Sequence, residues 1–227
     1  MLIDILTGGG VTFAGVIVAI LSSLAVIFLT MPIHEFAHAF AAEKLGDHTQ
    51  RYAGRLTVNP FAHIDYVGAL LIILFGFGWA KPVMVNSHYF KNPKRDMAIT
   101  ALAGPLSNLL LALICMFLYN GFMFIAFEVQ LEMLLYIALF FYYIAVINTS
   151  LAIFNLVPIP PLDGSRLLQA FLPDRLYYKM MQYERYLSLA VMLLVVTGIL
   201  SGPLSIASGN IINLLDYLTA LPFNLII

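Results

Sequence analysis

Apolar residues in this chain fall in long unbroken runs and do not alternate with polar ones. Four stretches lack Asp, Glu, Lys and Arg: Ile5–His34, Met97–Phe127, Met133–Asp163 short of its last residue, and Tyr186–Leu215. A membrane-spanning helix needs about 20 mainly apolar residues, so each stretch predicts one span. A shorter run, Tyr66–Ala80, has 15 residues and three glycines, Gly68, Gly76 and Gly78. It is too short to cross and predicts a re-entrant or interfacial segment. The tail Leu204–Ile227 is apolar but carries Asp216 and Pro222, and reads as an interfacial helix or a poor fifth span. On either side of the short run, Arg55-Leu56-Thr57-Val58 and Lys81-Pro82-Val83-Met84-Val85 show β-like patterning. They can pair as a ribbon whose edge would hold an extended peptide by strand addition, while each segment reads somewhat more readily as surface loop. The expected fold is therefore an all-α polytopic membrane protein. It has four to five transmembrane helices, a re-entrant or β-ribbon insertion, and one membrane-embedded domain over residues 1–227.

Composition agrees. Of the 227 residues, 62% are apolar and 10% charged, and the mean hydropathy is +0.94. A soluble domain is about 45–50% apolar and about 25% charged, and cannot hide so much apolar surface. This excludes an ordinary cytosolic enzyme, a disordered chain and a nucleic-acid binder. The single cysteine, Cys115, excludes an internal disulfide framework and a cysteine-rich zinc site.

All 11 basic residues cluster in three connections. Lys44, Arg51 and Arg55 follow the first stretch. Lys81, Lys91, Lys94 and Arg95 precede the second. Arg166, Arg175, Lys179 and Arg185 separate the third from the fourth. The positive-inside rule then places these three loops in the cytosol and the N-terminus outside, in a multi-pass membrane protein. The Asn120–Glu132 connection falls outside. No Lys or Arg precedes Lys44, so a cleavable signal peptide is not expected and the first helix should persist in the mature protein.

Chemistry enters where the first stretch ends, at Pro32-Ile33-His34-Glu35-Phe36-Ala37-His38. Residues four apart share a helix face, so His34 and His38 can offer two imidazoles to one ion. Glu35 beside them can act as general base on the attacking water, which is the logic of the H-E-x-x-H zinc motif. These groups follow nearly 30 uncharged residues, where ionisable side chains are costly and mark function. Pro32 should kink or loosen the helix just before the ligands.

A catalytic zinc commonly has three protein ligands and one open position. Asp163 is the one acid between Glu132 and Asp174 and follows Pro158, Pro160 and Pro161. Taken alone, it reads equally as a cap for the helix that begins near Ser165. Beside an incomplete zinc site at the same depth, the ligand reading is the stronger.

The motif His34-Glu35-x-x-His38, followed by Asn155-x-x-Pro158-x-x-x-Leu162-Asp163-Gly164, resembles the site-2 protease family of intramembrane zinc metalloproteases. The similarity continues through Gly54-Arg55-Leu56-Thr57-Val58-Asn59-Pro60 and Ala103-Gly104-Pro105-Leu106-Ser107-Asn108, and covers about residues 10–170. The resemblance is to compact prokaryotic members. No loop here is long enough for the PDZ or CBS domains of other members, so gating through them is not expected. The resemblance implies a three-helix catalytic core. One zinc per chain would be held by His34, His38 and Asp163, with Glu35 catalytic and Asn155 holding the substrate or the oxyanion. The substrates would be transmembrane segments of other proteins in the bilayer, cut near the cytosolic face. The competing class is a zinc-binding membrane scaffold without proteolytic activity, or a metal transporter. A scaffold of that kind usually loses the Glu or a ligand, and a transporter needs ionisable groups along a path through the midplane.

Gly104-Pro105 and Asn108 read equally as packing near the site and as an ordinary small-residue membrane contact. His63 reads as a local hydrogen-bonding residue more readily than as a fourth ligand. The oligomeric state has no signature in the sequence.

Overall fold

The computed structural model describes residues 12–75 and 79–224. Helix α1 (Phe13–Ala25) passes through a π-helical turn (Val26–Thr30) into α2 (Met31–Leu45). Together they form one 33-residue rod, long and apolar enough to cross a membrane. The π turn has a local cause. Pro32 has no N–H and cannot complete the regular ladder, and the Met31 N–H reaches back five residues to the Val26 carbonyl. Loosening just before the ligands is therefore observed, as a π turn. The Ile5–Val11 part of the expected first span lies outside the described residues.

Short helices α3 (Thr49–Tyr52) and α4 (Tyr66–Phe75) follow. The ten residues of α4 rise about 15 Å, half of what a crossing needs. A Cβ on Gly68, near its start, would collide with the backbone of Trp79, and the Lys81 N–H donates to the His63 carbonyl at 2.8 Å. The chain thus returns beside its point of entry, as expected of a re-entrant run. Gly76 and Gly78 lie outside the described residues.

The expected ribbon does not form, and no described residue belongs to a β-strand. The backbone groups of residues 82–86 bond to side chains instead of to a neighbouring strand. Val83 N–H donates to Glu35 Oε2 at 2.9 Å and Asn86 N–H to Asp47 Oδ2 at 2.7 Å, while the Gln50 amide donates to the Met84 carbonyl. Pro82 has no N–H to give. The other half, near Arg55, is tied in through its guanidinium, which donates to the Ala62 carbonyl at 2.7 Å and the Lys81 carbonyl at 3.4 Å.

Two long helices form the centre: α5 (Pro93–Val129) and α6 (Glu132–Leu156). Ala138, Ala145 and Ala152, seven apart on α6, are fully buried, and small residues in register let helix backbones approach closely. Cys115 and Met116 of α5 meet Ile144 and Ala145 of α6 and Ile212 of the last helix. Asn148 ties α6 to the π turn by donating to Thr30 Oγ1 at 3.0 Å. The connection between α5 and α6 is only Gln130 and Leu131, so Asn120 is inside α5 and not in a loop.

The third span ends at Leu156, short of Asp163, which begins α7 (Asp163–Leu168); α8 (Asp174–Gln182) follows. The expected fourth span, Tyr186–Leu215, is divided. It becomes α9 (Glu184–Val196), of 13 residues, and α10 (Ser201–Asn224), of 24, joined at a turn where Gly198 has φ +74°. A charge-free run cannot reveal such a turn, because Thr197, Gly198 and Ser201 add no charge. The fourth candidate span is α10, so the tail is long and apolar enough to cross, and the described residues hold four such helices. Asn120 of α5 donates to Asp216 Oδ1 and Thr219 Oγ1 of α10 at 3.0 and 2.9 Å.

Asp47 is fully buried and accepts from Thr49 N–H, Thr49 Oγ1 and Asn86 N–H. Asp47→Ala should cost about 1–3 kcal/mol by stranding those donors. The exposed Lys94–Asp174 pair, at 2.9 Å, should matter less, with Asp174→Ala costing under about 1 kcal/mol. Thermal unfolding in detergent checks the order of the two.

Candidate metal centre

His34 and His38 stand one turn apart on α2, both buried. Their Nε2 atoms are 3.1 Å apart, and Asp163 Oδ2 lies 3.3 Å from one and 3.2 Å from the other. Two atoms about 2.0–2.1 Å from one zinc at a tetrahedral angle stand roughly 3.3–3.4 Å apart. The triangle therefore fits one face of a zinc tetrahedron, and two imidazoles with a carboxylate are a donor set that zinc accepts. Among the described residues this is the one group of three or more such side chains close enough to share an ion.

The orientation of His38 is fixed from α5. Its Nδ1 lies 2.7 Å from the Thr100 carbonyl, which can only accept, so Nδ1 carries the proton and Nε2 keeps its lone pair. His34 Nδ1 is buried with no hydrogen-bond partner among the described residues. One turn beyond Thr100, Gly104 faces both rings. A Cβ there would collide with His38 Nε2 and lie 2.6 Å from His34 Cε1. Gly104 packs against the candidate ligands themselves, which is more than an ordinary helix contact.

Asp163 arrives through the break that ends α6. A Cβ on Gly164 would collide with the Leu156 carbonyl, so glycine lets α7 start against the end of α6. The Asp163 carboxylate turns to the two imidazoles, and α7 has no side-chain cap at Leu162. Of the two readings of Asp163, the geometry agrees with the ligand.

A cavity of about 420 Å³ opens beside these groups, with Glu35, Asn108 and Asn155 on its wall. Glu35 Oε2 accepts from Val83 N–H, and Oε1 has no hydrogen-bond partner among the described residues. Asn155, in the last turn of α6, is half-buried and likewise unpartnered. The structure thus brings together His34, Glu35, His38, Asn155 and Asp163. His63 stays apart: its Nε2 donates to the Thr57 carbonyl at 2.8 Å. His48 pairs with Glu43. The Val83 amide and the Thr100 carbonyl were not legible beforehand, because backbone groups carry no residue signature.

The model of peptidase family M50 matches residues 126–200. The protein of Bacillus subtilis (strain 168) named "Putative zinc metalloprotease YwhC" is 40% identical over 177 residues, covering 75% of this chain and 78% of that one. "Putative zinc metalloprotease Rip2" of Mycolicibacterium smegmatis is 27% identical over 196 residues, 84% of this chain and 71% of that protein. Its namesake in Mycobacterium tuberculosis (strain ATCC 25618 / H37Rv) is 30% identical over 166 residues, 70% and 60% of the two chains. No solved structure matches. With its imidazole–carboxylate triangle beside a glutamate on a spanning helix, and this identity over most of a family relative, the chain belongs to peptidase family M50, the site-2 protease family of zinc metalloproteases.

Proposed function

We propose that this protein is an intramembrane endopeptidase that cuts peptide bonds in or near transmembrane segments of other membrane proteins, close to the cytosolic face. The observation that carries the reading is the position of Glu35 beside the His34, His38 and Asp163 triangle, at a cavity reached from a spanning helix. In this reading His34, His38 and Asp163 hold the zinc. Zinc, when bound, supplies Lewis-acid polarisation of the scissile carbonyl and of the attacking water. Glu35 accepts the proton of that water and delivers it to the leaving amine, which balances the hydrolysis. The Val83 N–H holds one carboxylate oxygen and leaves Oε1 for the proton. Asn155 donates to the developing oxyanion or to the substrate backbone. A neutral amide suits this task, since it does not compete for the ion. The peptide bonds of a helix are shielded, so the substrate unwinds locally before it is cut.

Orientation belongs to the same proposal. The loops bearing all 11 basic residues face the cytosol, and the short Gln130–Leu131 turn faces outside. Asn120 is a poor external probe, because its amide is bonded to Asp216 and Thr219. Gln130 is exposed and serves instead. In a Cys115→Ala background, an impermeant thiol reagent on intact cells should label Gln130→Cys and spare Ser87→Cys. The opposite pattern reverses the orientation.

Purified protein should carry about one zinc per chain, and Asp163→Ala should lose it far more readily than His88→Ala. Elemental analysis decides, and equal zinc in the two variants removes Asp163 from the ligand set. Glu35→Gln should keep the metal and lose cleavage of a reconstituted single-span substrate.

Asn155→Ala should keep zinc and fold while cleaving that substrate at least ~30-fold more slowly, since one oxyanion donor is typically worth about 10²–10³ in turnover. A drop in thermal stability matching the loss of activity would instead give Asn155 a structural role at the α6 break.

A further inference from the structure

We infer that Asn108 is a second substrate-binding residue, whose side-chain amide hydrogen-bonds the backbone of the unwound peptide; this rests on the proteolytic reading above. Thr100, Gly104 and Asn108 are four apart and share one face of α5. The first fixes His38, the second packs against both imidazoles, and the third reaches the cavity wall. Asn108 is 1% exposed, and its Oδ1 is sealed from solvent with no hydrogen-bond partner. A native protein seldom leaves a buried amide unpaired, because stranding it is costly.

Helix packing does not account for this residue. Asn148 shows what a packing asparagine does here: its Oδ1 is likewise unpaired, but its Nδ2 donates to Thr30 Oγ1 and to the Ile144 carbonyl. Asn108 bonds to no described residue. It faces the same cavity as Glu35 and Asn155, from a different helix. Two neutral amides on α5 and α6 thus border the space beside the metal centre. An extended peptide is the ligand that fits them. It presents N–H and C=O groups in turn, and an amide both accepts from one and donates to the other. A helix unwound away from bulk water has lost its internal partners, and leaving them unmet is expensive. Asn108 Nδ2, the end of the amide that is not sealed, donates to a substrate C=O near the scissile bond and takes the place of one lost partner. An amide also leaves the ion to its own ligands, where a carboxylate would compete.

The test uses the full chain in nanodiscs with a labelled single-span peptide. Binding is measured in the Glu35→Gln background and cleavage in the Glu35 protein. Asn108→Leu, similar in volume, should keep its zinc and its unfolding temperature while weakening peptide binding at least about fivefold and lowering kcat/KM by about tenfold or more. Peptides with single backbone esters, each carrying one weaker carbonyl acceptor, locate the contact. At one position the ester should reproduce the loss in the Asn108 protein and add nothing further in Asn108→Leu. Full additivity at every position overturns the assignment, as does a fall in unfolding temperature that tracks the loss of binding. Cleavage that depends on Glu35 but is unchanged by Asn108→Leu defeats this inference alone. Glu35-independent cleavage, or none, defeats the proteolytic reading, while the binding arm still decides on Asn108.

Discussion

Two imidazoles and a carboxylate sit within 3.3 Å of one another inside a membrane protein because α2 and α5 touch at Gly104. Any larger residue would place a carbon where the rings are. The same face of α5 supplies the Thr100 carbonyl that sets the His38 tautomer. Position and protonation of this ligand thus come from one helix contact. The alanines of α6, buried against its neighbours, bring the end of that helix close enough for Asp163 to close the triangle from the other side. Helix packing in lipid gains little from apolar burial, so small residues and a few polar ties carry it. The site is one consequence of that packing.

Helix breaks supply what straight rods cannot. Pro32 converts the turn before His34 into a π turn, and the same turn carries Thr30, the partner of Asn148. The break after Leu156 lets Asp163 start a new helix facing back toward α2, with Gly164 against the Leu156 carbonyl. Each break lies within a few residues of a candidate ligand. Irregular backbone at membrane depth survives where protein buries it or a cavity receives it, and here both conditions hold.

The long apolar helices and the His34, His38 and Asp163 triangle were legible because they depend on residue type and spacing. Hydropathy marks spans, a four-residue interval puts His34 beside His38, and an isolated acid after three prolines stands out. The second half of the chain was less legible. The Tyr186–Leu215 run is as apolar as a span, and only the φ of Gly198 divides it into α9 and α10. The β-like pattern near Val83 misled for a related reason. Alternation in sequence describes side chains, whereas strand formation depends on where backbone donors go, and these go to Glu35 and Asp47. Gly104 and Asn108 were visible as a pair, but the contact of Gly104 with both imidazoles and the place of Asn108 on the cavity wall depend on helix packing that residue type does not encode.

In the proposed mechanism the Val83 contact gives Glu35 two tasks. Its carboxylate anchors the extended segment 82–86 to α2, with Gln50 and Asp47 holding the same segment further along. A substitution that removes the side chain therefore disturbs the cavity wall as well as the proton acceptor. Glutamine keeps an acceptor oxygen for Val83 N–H but cannot take up the proton at neutral pH, so it divides the two tasks where alanine confounds them. The same anchoring limits the freedom of the base. With one oxygen held by a backbone amide and its residue buried on α2 next to His34, the Glu35 carboxylate has little room to turn, and in the proposed mechanism folding meets most of the positioning cost.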